Sequence, residues 1–279
     1  MSEQEEISDE ELRALCRAVL TRYNIDFTHY ETRSFKRRVK SAMNTLKMGN
    51  LMELWQKLLQ DRDFVFDFID AITVGMTSLF RDPKMWLFLK KDIMYQLRNH
   101  STLRVWHMGC STGEEAYSFG ILLKESFYRG VKKAVATDLN RNSIAIAQSG
   151  RFPKVNHTQN ERQYKTFNPV GNINRYTTLE GYEVIYDNKL VEHVDFKVQN
   201  VTKEMPDGKF NIIFCRNILI YFDENLKKRL LQELYDKLED DGFLIIGFFD
   251  ALIPLIDPTL FEFYDIEPVS YTHLTLPTN

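Results

Sequence analysis

From the N-terminus to Ile72 the apolar positions recur every three or four residues, the period of helices that bury one face. Leu12, Leu15, Val19 and Leu20 form the first stripe. Ser8, followed three places later by Glu11, is a capping box that would start this helix. Between Arg33 and Lys47 the stripe is Phe35, Val39, Ala42, Met43 and Leu46, while Arg33, Lys36, Arg37 and Lys40 fall on another face. One helix thus carries a core side and a basic side. Leu51 to Leu59 and Phe64 to Ile72 continue the pattern without an internal Gly or Pro. Residues 1–72 are predicted to form a small all-α helical N-terminal domain.

After Arg81-Asp82-Pro83 short β-rich runs alternate with helical stretches. The runs are Leu103 to His107, Lys133 to Thr137, Val194 to Val198, Asn211 to Phe214 and Phe243 to Gly247. Helices are expected at Glu114 to Phe127, Arg141 to Gly150 and Asn225 to Leu238. This alternation predicts a doubly wound α/β domain over residues 73–268, with a largely parallel sheet covered on both faces. Residues 156–190 break the rhythm: they are polar, contain Pro169, Gly171 and Gly181, and show short-strand spacing around Tyr182 to Tyr186. Such a length marks an inserted subdomain or a functional loop. Val269 to Asn279 is Thr-rich and abandons the preceding acidic and aromatic pattern, so it is set apart as a candidate cloning or assembly scar.

Composition narrows the classes. A hydrophobic fraction of 44% over 279 residues is enough for two cores. The net charge of −3 argues against a protein coated in basic charge for nucleic acid. Cys16, Cys110 and Cys215 lack the paired spacing of a metal site or a disulfide framework, which predicts a reducing, cytoplasmic setting. The acidic N-terminus and the absence of any run near the roughly 18 apolar residues of a membrane span predict no membrane insertion.

In an open parallel sheet the ligand crevice lies at the carboxyl ends of the strands, so chemistry is sought in the turn after the first strand, Met108-Gly109-Cys110-Ser111-Thr112-Gly113-Glu114-Glu115. Gly109 and Gly113 allow a sharp turn and close approach to a ligand. The spacing is not the G-x-G-x-x-G of dinucleotide enzymes. Glu114-Glu115 would repel a pyrophosphate and suits a ligand bearing an ammonium group. Asp138, ending the next strand, stands where a carboxylate accepts from both hydroxyls of a ribose, or else where it caps the following helix. An ammonium-bearing nucleoside describes S-adenosylmethionine. His107 and Cys110 read as structural.

Four segments, Thr77 to Asp82 (TSLFRD), Trp106 to Ser118 (WHMGCSTGEEAYS), Ala136 to Asn140 (ATDLN) and Ile213 to Phe222 (IFCRNILIYF), resemble in order and spacing the CheR-type protein-glutamate methyltransferases of bacterial chemotaxis. The resemblance spans roughly Ser8 to Pro268. It implies a Rossmann-like methyltransferase domain with a small inserted β-subdomain behind the helical domain. It also implies that Thr77, Arg81, Glu115, Asp138, Asn200, Val201, Arg216 and Asn217, beside Gly109, contact S-adenosylmethionine, which leaves as S-adenosylhomocysteine. Arg81 and Tyr221 would line the reaction pocket and position the acceptor carboxylate. The basic face of Arg33, Lys36, Arg37 and Lys40 would meet the acidic cytoplasmic helices of a methyl-accepting chemoreceptor, with the protein acting as a monomer.

Two positions depart from the family pattern. Gly75 stands where the family has a polar Asn, and Gly247-Phe248-Phe249-Asp250-Ala251 replaces a Ser-Glu pair near a Gly, giving a more apolar rim. These departures make cofactor binding the firmer expectation and turnover the weaker one. Beside receptor methylation, two readings therefore stay open: a cofactor-binding but catalytically weak signalling module, and a small-molecule methyltransferase.

Overall fold

The computed structural model describes residues 7–73, 75, 77–247, 250, 255, 261–265 and 272–275. Helix α1 (Asp9–Tyr23) starts on the expected capping box: Glu11 N donates to Ser8 Oγ at 3.2 Å while Ser8 N donates to the Glu11 carboxylate at 2.8 Å. It is followed by α2 (Thr32–Thr45), α3 (Leu51–Gln60) and α4 (Phe64–Ile72). Their stripes, among them Leu15, Val19, Phe35, Val39, Leu54 and Phe68, close one apolar core.

A helical run that the sequence pattern did not single out leads into the sheet. Pro83 opens α5 (Pro83–Phe88), which passes through a π turn at Leu89–Ile93 into α6 (Met94–Gln96). In chain order there follow β1 (Thr102–Met108), α7 (Glu114–Glu125), β2 (Val131–Asp138) and α8 (Arg141–Ser149). An insertion comes next: β3 (Arg151–Pro153), α9 (His157–Phe167), β4 (Thr177–Glu180) and β5 (Glu183–Tyr186). The chain returns with β6 (Val194–Val198), β7 (Phe210–Cys215), α10 (Glu224–Asp236), β8 (Leu238–Ile246), β9 (Glu262–Asp265) and β10 (Thr272–Thr275).

The main sheet has the order β6-β2-β1-β7-β8-β10-β9, in which neighbours from β6 to β8 run parallel and β10 is antiparallel to β8 and to β9. Strand period two sends alternate residues to opposite faces, and both faces are covered: Val105, Ile212 and Phe214 enter one core, Trp106, Ile213 and Cys215 the other. From β1 the chain winds one way to β2 and β6, then crosses back to β7 on the other side. The crevice therefore opens between the ends of β1 and β7, where Met108 pairs with Cys215.

The insertion is a three-stranded sheet of order β3-β5-β4 that begins at Arg151 rather than near residue 156. It also contains a helix, α9, that its polarity hid; Asn160, Tyr164 and Phe167 are its buried positions. Thr272–Thr275, inside the C-terminal segment set apart above, takes a place in the main sheet through backbone pairing. No helix of the described residues is long and apolar enough to cross a membrane.

The helical domain docks over the crevice by backbone contacts. Glu31 N donates to Tyr221 O at 2.9 Å, Asp223 N to His29 O at 2.8 Å, and the Tyr30 and Phe222 rings meet edge-on at 5.2 Å. Asn140 Nδ2 donates to Thr73 Oγ1 at 2.8 Å on the far side.

Candidate active site

A cavity of ≈ 590 Å³ lies where the carboxyl ends of β1, β2 and β7 face α2. Thr77, Arg81, Gly109, Glu115, Asp138, Asn200, Val201, Arg216, Asn217 and Tyr221 all line it, as does Arg37 of the basic helix face. Residues spread from 37 to 221 in the chain thus share one chamber.

Backbone geometry explains the turn after β1. Gly109 has φ 66°, and a Cβ on it would lie 2.7 Å from Ile218 Cδ1; Gly113 has φ 94°, and its Cβ would lie 2.7 Å from that of Ala147. Ser111 N donates to Asp138 Oδ2 at 2.8 Å, and Asn140 N to Asp138 Oδ1 at 2.9 Å, so Asp138 ties the turn to the end of β2. The helix-capping alternative belongs instead to Asn140, whose Oδ1 accepts from Ser143 N at 2.8 Å. Burial pushes the Asp138 carboxyl above its usual value, against the pull of the backbone N–H groups of Asn140, Ser111 and Leu139.

The two adjacent glutamates separate. Glu114 is buried, accepts from Thr112 Oγ1 at 2.6 Å and is pushed by burial above the usual Glu value, so it does not serve the cavity. Glu115 faces it. Its Oε1 lies 2.9 Å from His107 Nδ1, and its Oε2 accepts from Arg216 Nη1 at 3.1 Å. Burial acts to raise the Glu115 pKa, but the hydrogen bond from His107 and the Arg216 charge outweigh it and hold the group below its usual value, ionised. Arg216 also donates through Nη2 to Asp82 Oδ2 at 2.6 Å. Two carboxylates share one guanidinium, so the negative character expected of the turn survives. His107, read above as structural only, is wholly buried, stacked on Phe214 at 4.7 Å, and orients Glu115.

Arg81 is delivered by a loop held in unusual backbone conformations, with φ 50° at Phe80 and 60° at Asp82. Phe80 N donates to Ser118 Oγ at 2.8 Å, and Leu79 N to Asn160 Oδ1 at 3.2 Å. The Phe80 ring stacks on Phe167 at 4.7 Å, so α9 of the insertion clamps the loop. Arg81 O accepts from Trp86 Nε1 at 2.9 Å and from Arg216 Nη2 at 3.1 Å. Neither Asn160 nor Ser118 carries a local sequence signal for this task.

Asn200 makes a turn as well as lining the cavity, its Oδ1 accepting from Thr202 N at 3.1 Å and from Thr202 Oγ1 at 2.8 Å. Asn217 sits at φ 58° and is fixed by Asp250, a residue the sequence reading placed in an apolar rim. The buried Asp250 carboxylate accepts from Asn217 N at 2.7 Å, Gly247 N at 3.0 Å and Ile220 N at 3.1 Å. Gly247 has to be glycine here, since a Cβ would come within 2.6 Å of Asp250 Oδ2 and 2.7 Å of Asn217 N. The apolar reading of this rim is thus corrected at Asp250, while Phe248, Phe249 and Ala251 lie outside the described residues. Asp250→Ala is expected to lower the melting temperature by several degrees, because one buried and two half-buried N–H groups lose their acceptor, at about 1–3 kcal/mol for the buried one and less for the others. Calorimetry checks this, and an unchanged transition would contradict it.

The basic face of α2 divides. Arg37 lines the cavity, whereas Arg33, Lys36 and Lys40 do not; Lys36 pairs with Asp9 at 2.6 Å. The structure adds Arg38. Its guanidinium lies 3.8 Å from the centre of the Tyr221 ring while Nη1 donates to Ile72 O at 3.2 Å. Gly75 also lines the cavity, and a Cβ there would meet nothing within 4 Å, so the missing side chain leaves open space.

Comparison with known proteins places this geometry. Among solved structures, the N-methyltransferase NodS from Bradyrhizobium japonicum superposes with a TM-score of 0.39 at 9% identity, covering 71% of this chain and 96% of that one, too distant to inform the site. Among characterised sequences, Cher3 of Pseudomonas putida is 29% identical over 260 residues, covering 90% of this chain and 95% of that protein. Chemotaxis protein methyltransferase 1 of Vibrio cholerae is 27% identical over 266 residues, covering 90% and 92%. The chemotaxis protein methyltransferase of Borreliella burgdorferi is 27% identical over 261 residues, covering 86% and 88%. Residues 10–73 match the all-alpha domain of the CheR methyltransferases and residues 75–266 match their SAM binding domain. With both halves of the chain matched in order and the cavity at the carboxyl ends of the strands, this protein belongs to the CheR methyltransferase family.

Proposed function

We propose that the protein transfers a methyl group from S-adenosylmethionine to glutamate side chains on the cytoplasmic helices of a methyl-accepting chemoreceptor, forming glutamate methyl esters. One observation carries the reading: carboxylates for a cationic nucleoside and cations for an acceptor carboxylate line the same cavity, with Glu115 and Asp138 in the first set and Arg37, Arg38 and Arg81 in the second. The names of the Vibrio and Borreliella relatives support it.

The residues fit the cofactor. Two cavity-lining polar atoms, Ser111 Oγ and Gln199 Oε1, are buried without a hydrogen-bond partner in the described structure. Asp138 would accept from the ribose, the Glu115 environment would favour the ammonium group, and Asn200, Val201 and Asn217 would border the base. When bound, S-adenosylmethionine supplies a methyl group already activated by its sulfonium. The protein then has to position rather than to ionise: a glutamate carboxylate is unprotonated at neutral pH, so no general base is needed. Arg81 offers the paired donors that match a carboxylate, and Tyr221, held by Arg38, offers a hydroxyl beside them. The helical domain closes over the crevice and limits water there.

Incubation with methyl-labelled S-adenosylmethionine and receptor cytoplasmic fragments should give protein-bound label that is released by mild base. Cofactor binding without such label would favour the signalling-module reading, and label in small molecules alone would favour the third. The Asp138 environment adds a pH dependence. Its ionised form is the acceptor and burial raises its pKa above the usual 3.8, so cofactor affinity should fall on the acid side with an inflection above that value. Asp138→Asn should bind more weakly and lose the inflection in a calorimetric titration.

A further inference from the structure

On the outer face of the helical domain, α1 and α3 enclose an open groove of ≈ 740 Å³ lined by Ala14, Arg17, Ala18, Thr21, Arg22, Trp55, Leu59 and Arg62. It shares no residue with the active-site cavity, and α2 contributes nothing to it. Helix α3 buries Leu54 and Leu58 on its inner side, yet it also carries Met52, Trp55 and Leu59 at helical spacing on the other. Met52 is 69% and Leu59 45% exposed. Ala14 and Ala18 keep the α1 wall low, so a third helix could approach closely. Arg17, Arg22 and Arg62 stand around this apolar floor, no acidic residue lines it, and none of the three arginines is in an ion pair among the described residues.

Tryptophan and arginine together, without lysine or carboxylates, are the composition of an interface centre rather than of an ordinary solvated face. A helix-lined groove takes an amphipathic helix by its apolar stripe, and Arg17 and Arg62, with Arg22 held beside them by the Tyr23 hydroxyl, select carboxylates on the flanks. We infer that the α1/α3 groove docks an acidic amphipathic helix of a partner protein, at a site separate from the one that receives the methyl acceptor. Bound there, the partner would contact the domain whose Arg37 and Arg38 reach the active-site cavity.

Trp86 and Trp106 are fully buried, which makes Trp55 the tryptophan whose emission responds to ligands at the surface. The test uses the full chain and a synthetic helix of about 18 residues, with leucines on one face and glutamates elsewhere, beside a copy carrying lysine for glutamate. The acidic peptide should shift the Trp55 emission to shorter wavelength and saturate, more weakly as salt rises. Arg17→Glu with Arg62→Glu, both at exposed positions, should weaken that binding by about tenfold or more while leaving cofactor binding unchanged. Equal binding of the two peptides, or no shift with either, would overturn the inference. So would a concentration-dependent dimer that gives the same Trp55 shift, since a second copy would then be the occupant.

Discussion

Arg216→Ala is expected to destabilise the protein by about 3–5 kcal/mol. The guanidinium is 4% exposed and bridges Glu115 Oε2 and Asp82 Oδ2 while also donating to Arg81 O. Removing it leaves two carboxylates close together with no cation between them, and it frees the backbone that carries Arg81. For a protein of this size the loss corresponds to a fall in melting temperature of about 10 °C. Arg216→Lys should recover little, because one ammonium cannot present the fork that spans both carboxylates. Glu115→Gln in the Arg216→Ala background should recover part of the loss by removing one unpaired charge, so the two changes would not add. Calorimetry on these three variants and on Glu115→Gln alone decides this; a shift of Arg216→Ala within about 2 °C of the parent would show that the bridge is dispensable.

Arg81→Ala should strike the reaction instead. The main-chain carbonyl of Arg81 makes the bonds to Trp86 and Arg216, and the alanine variant retains that carbonyl. Loss of the paired donors should lower the transfer rate by about a hundredfold, the order expected when a reacting group is no longer held in place. Cofactor affinity, which we assign to Glu115, Asp138, Asn200 and Asn217 among the cavity-lining residues, should fall much less. Single-turnover transfer measured beside cofactor calorimetry separates the two effects. Full transfer activity in Arg81→Ala would remove Arg81 from the proposed positioning role, and equal losses in both measurements would make it a cofactor residue alone.

The helices and strands were legible where burial imposes a period. Leu12, Leu15 and Val19 repeat as a helix with one buried face must, and the strand from Phe210 to Cys215 is buried throughout, and apolar except at Asn211, because both of its faces are covered. Legibility fell where the buried set was small or broken. Helix α9 shows only three buried positions, one of them an asparagine. Strand β8 starts at Leu238, before the polar Glu239-Asp240-Asp241, because Leu238 pairs with Phe210 across a register shift. The site divides in the same way. Glycines at Gly109 and Gly113, and an acid at the end of β2, announce themselves through local backbone needs.

Other functional details depend on neighbours that are distant in sequence. Nothing near Asp250 shows that its carboxylate will cap the turn holding Asn217, and nothing near Asn160 shows that it will clamp the loop before Arg81. The α2 pattern identified a basic face, but only packing against Tyr221 and Ile72 selected Arg38 for the cavity, while Lys36 was drawn off to Asp9. By itself the sequence determined the two-domain plan, the place of the crevice and the sign of its ligand, since these follow from periodicity, strand order and charges adjacent along the chain. The tertiary structure alone decided which glutamate faces the cavity, what holds it ionised and which arginines of α2 line the cavity. Those outcomes depend on burial and on contacts between separate elements, as far apart in the chain as Glu115 and Arg216, and such pairings leave no local trace in the sequence.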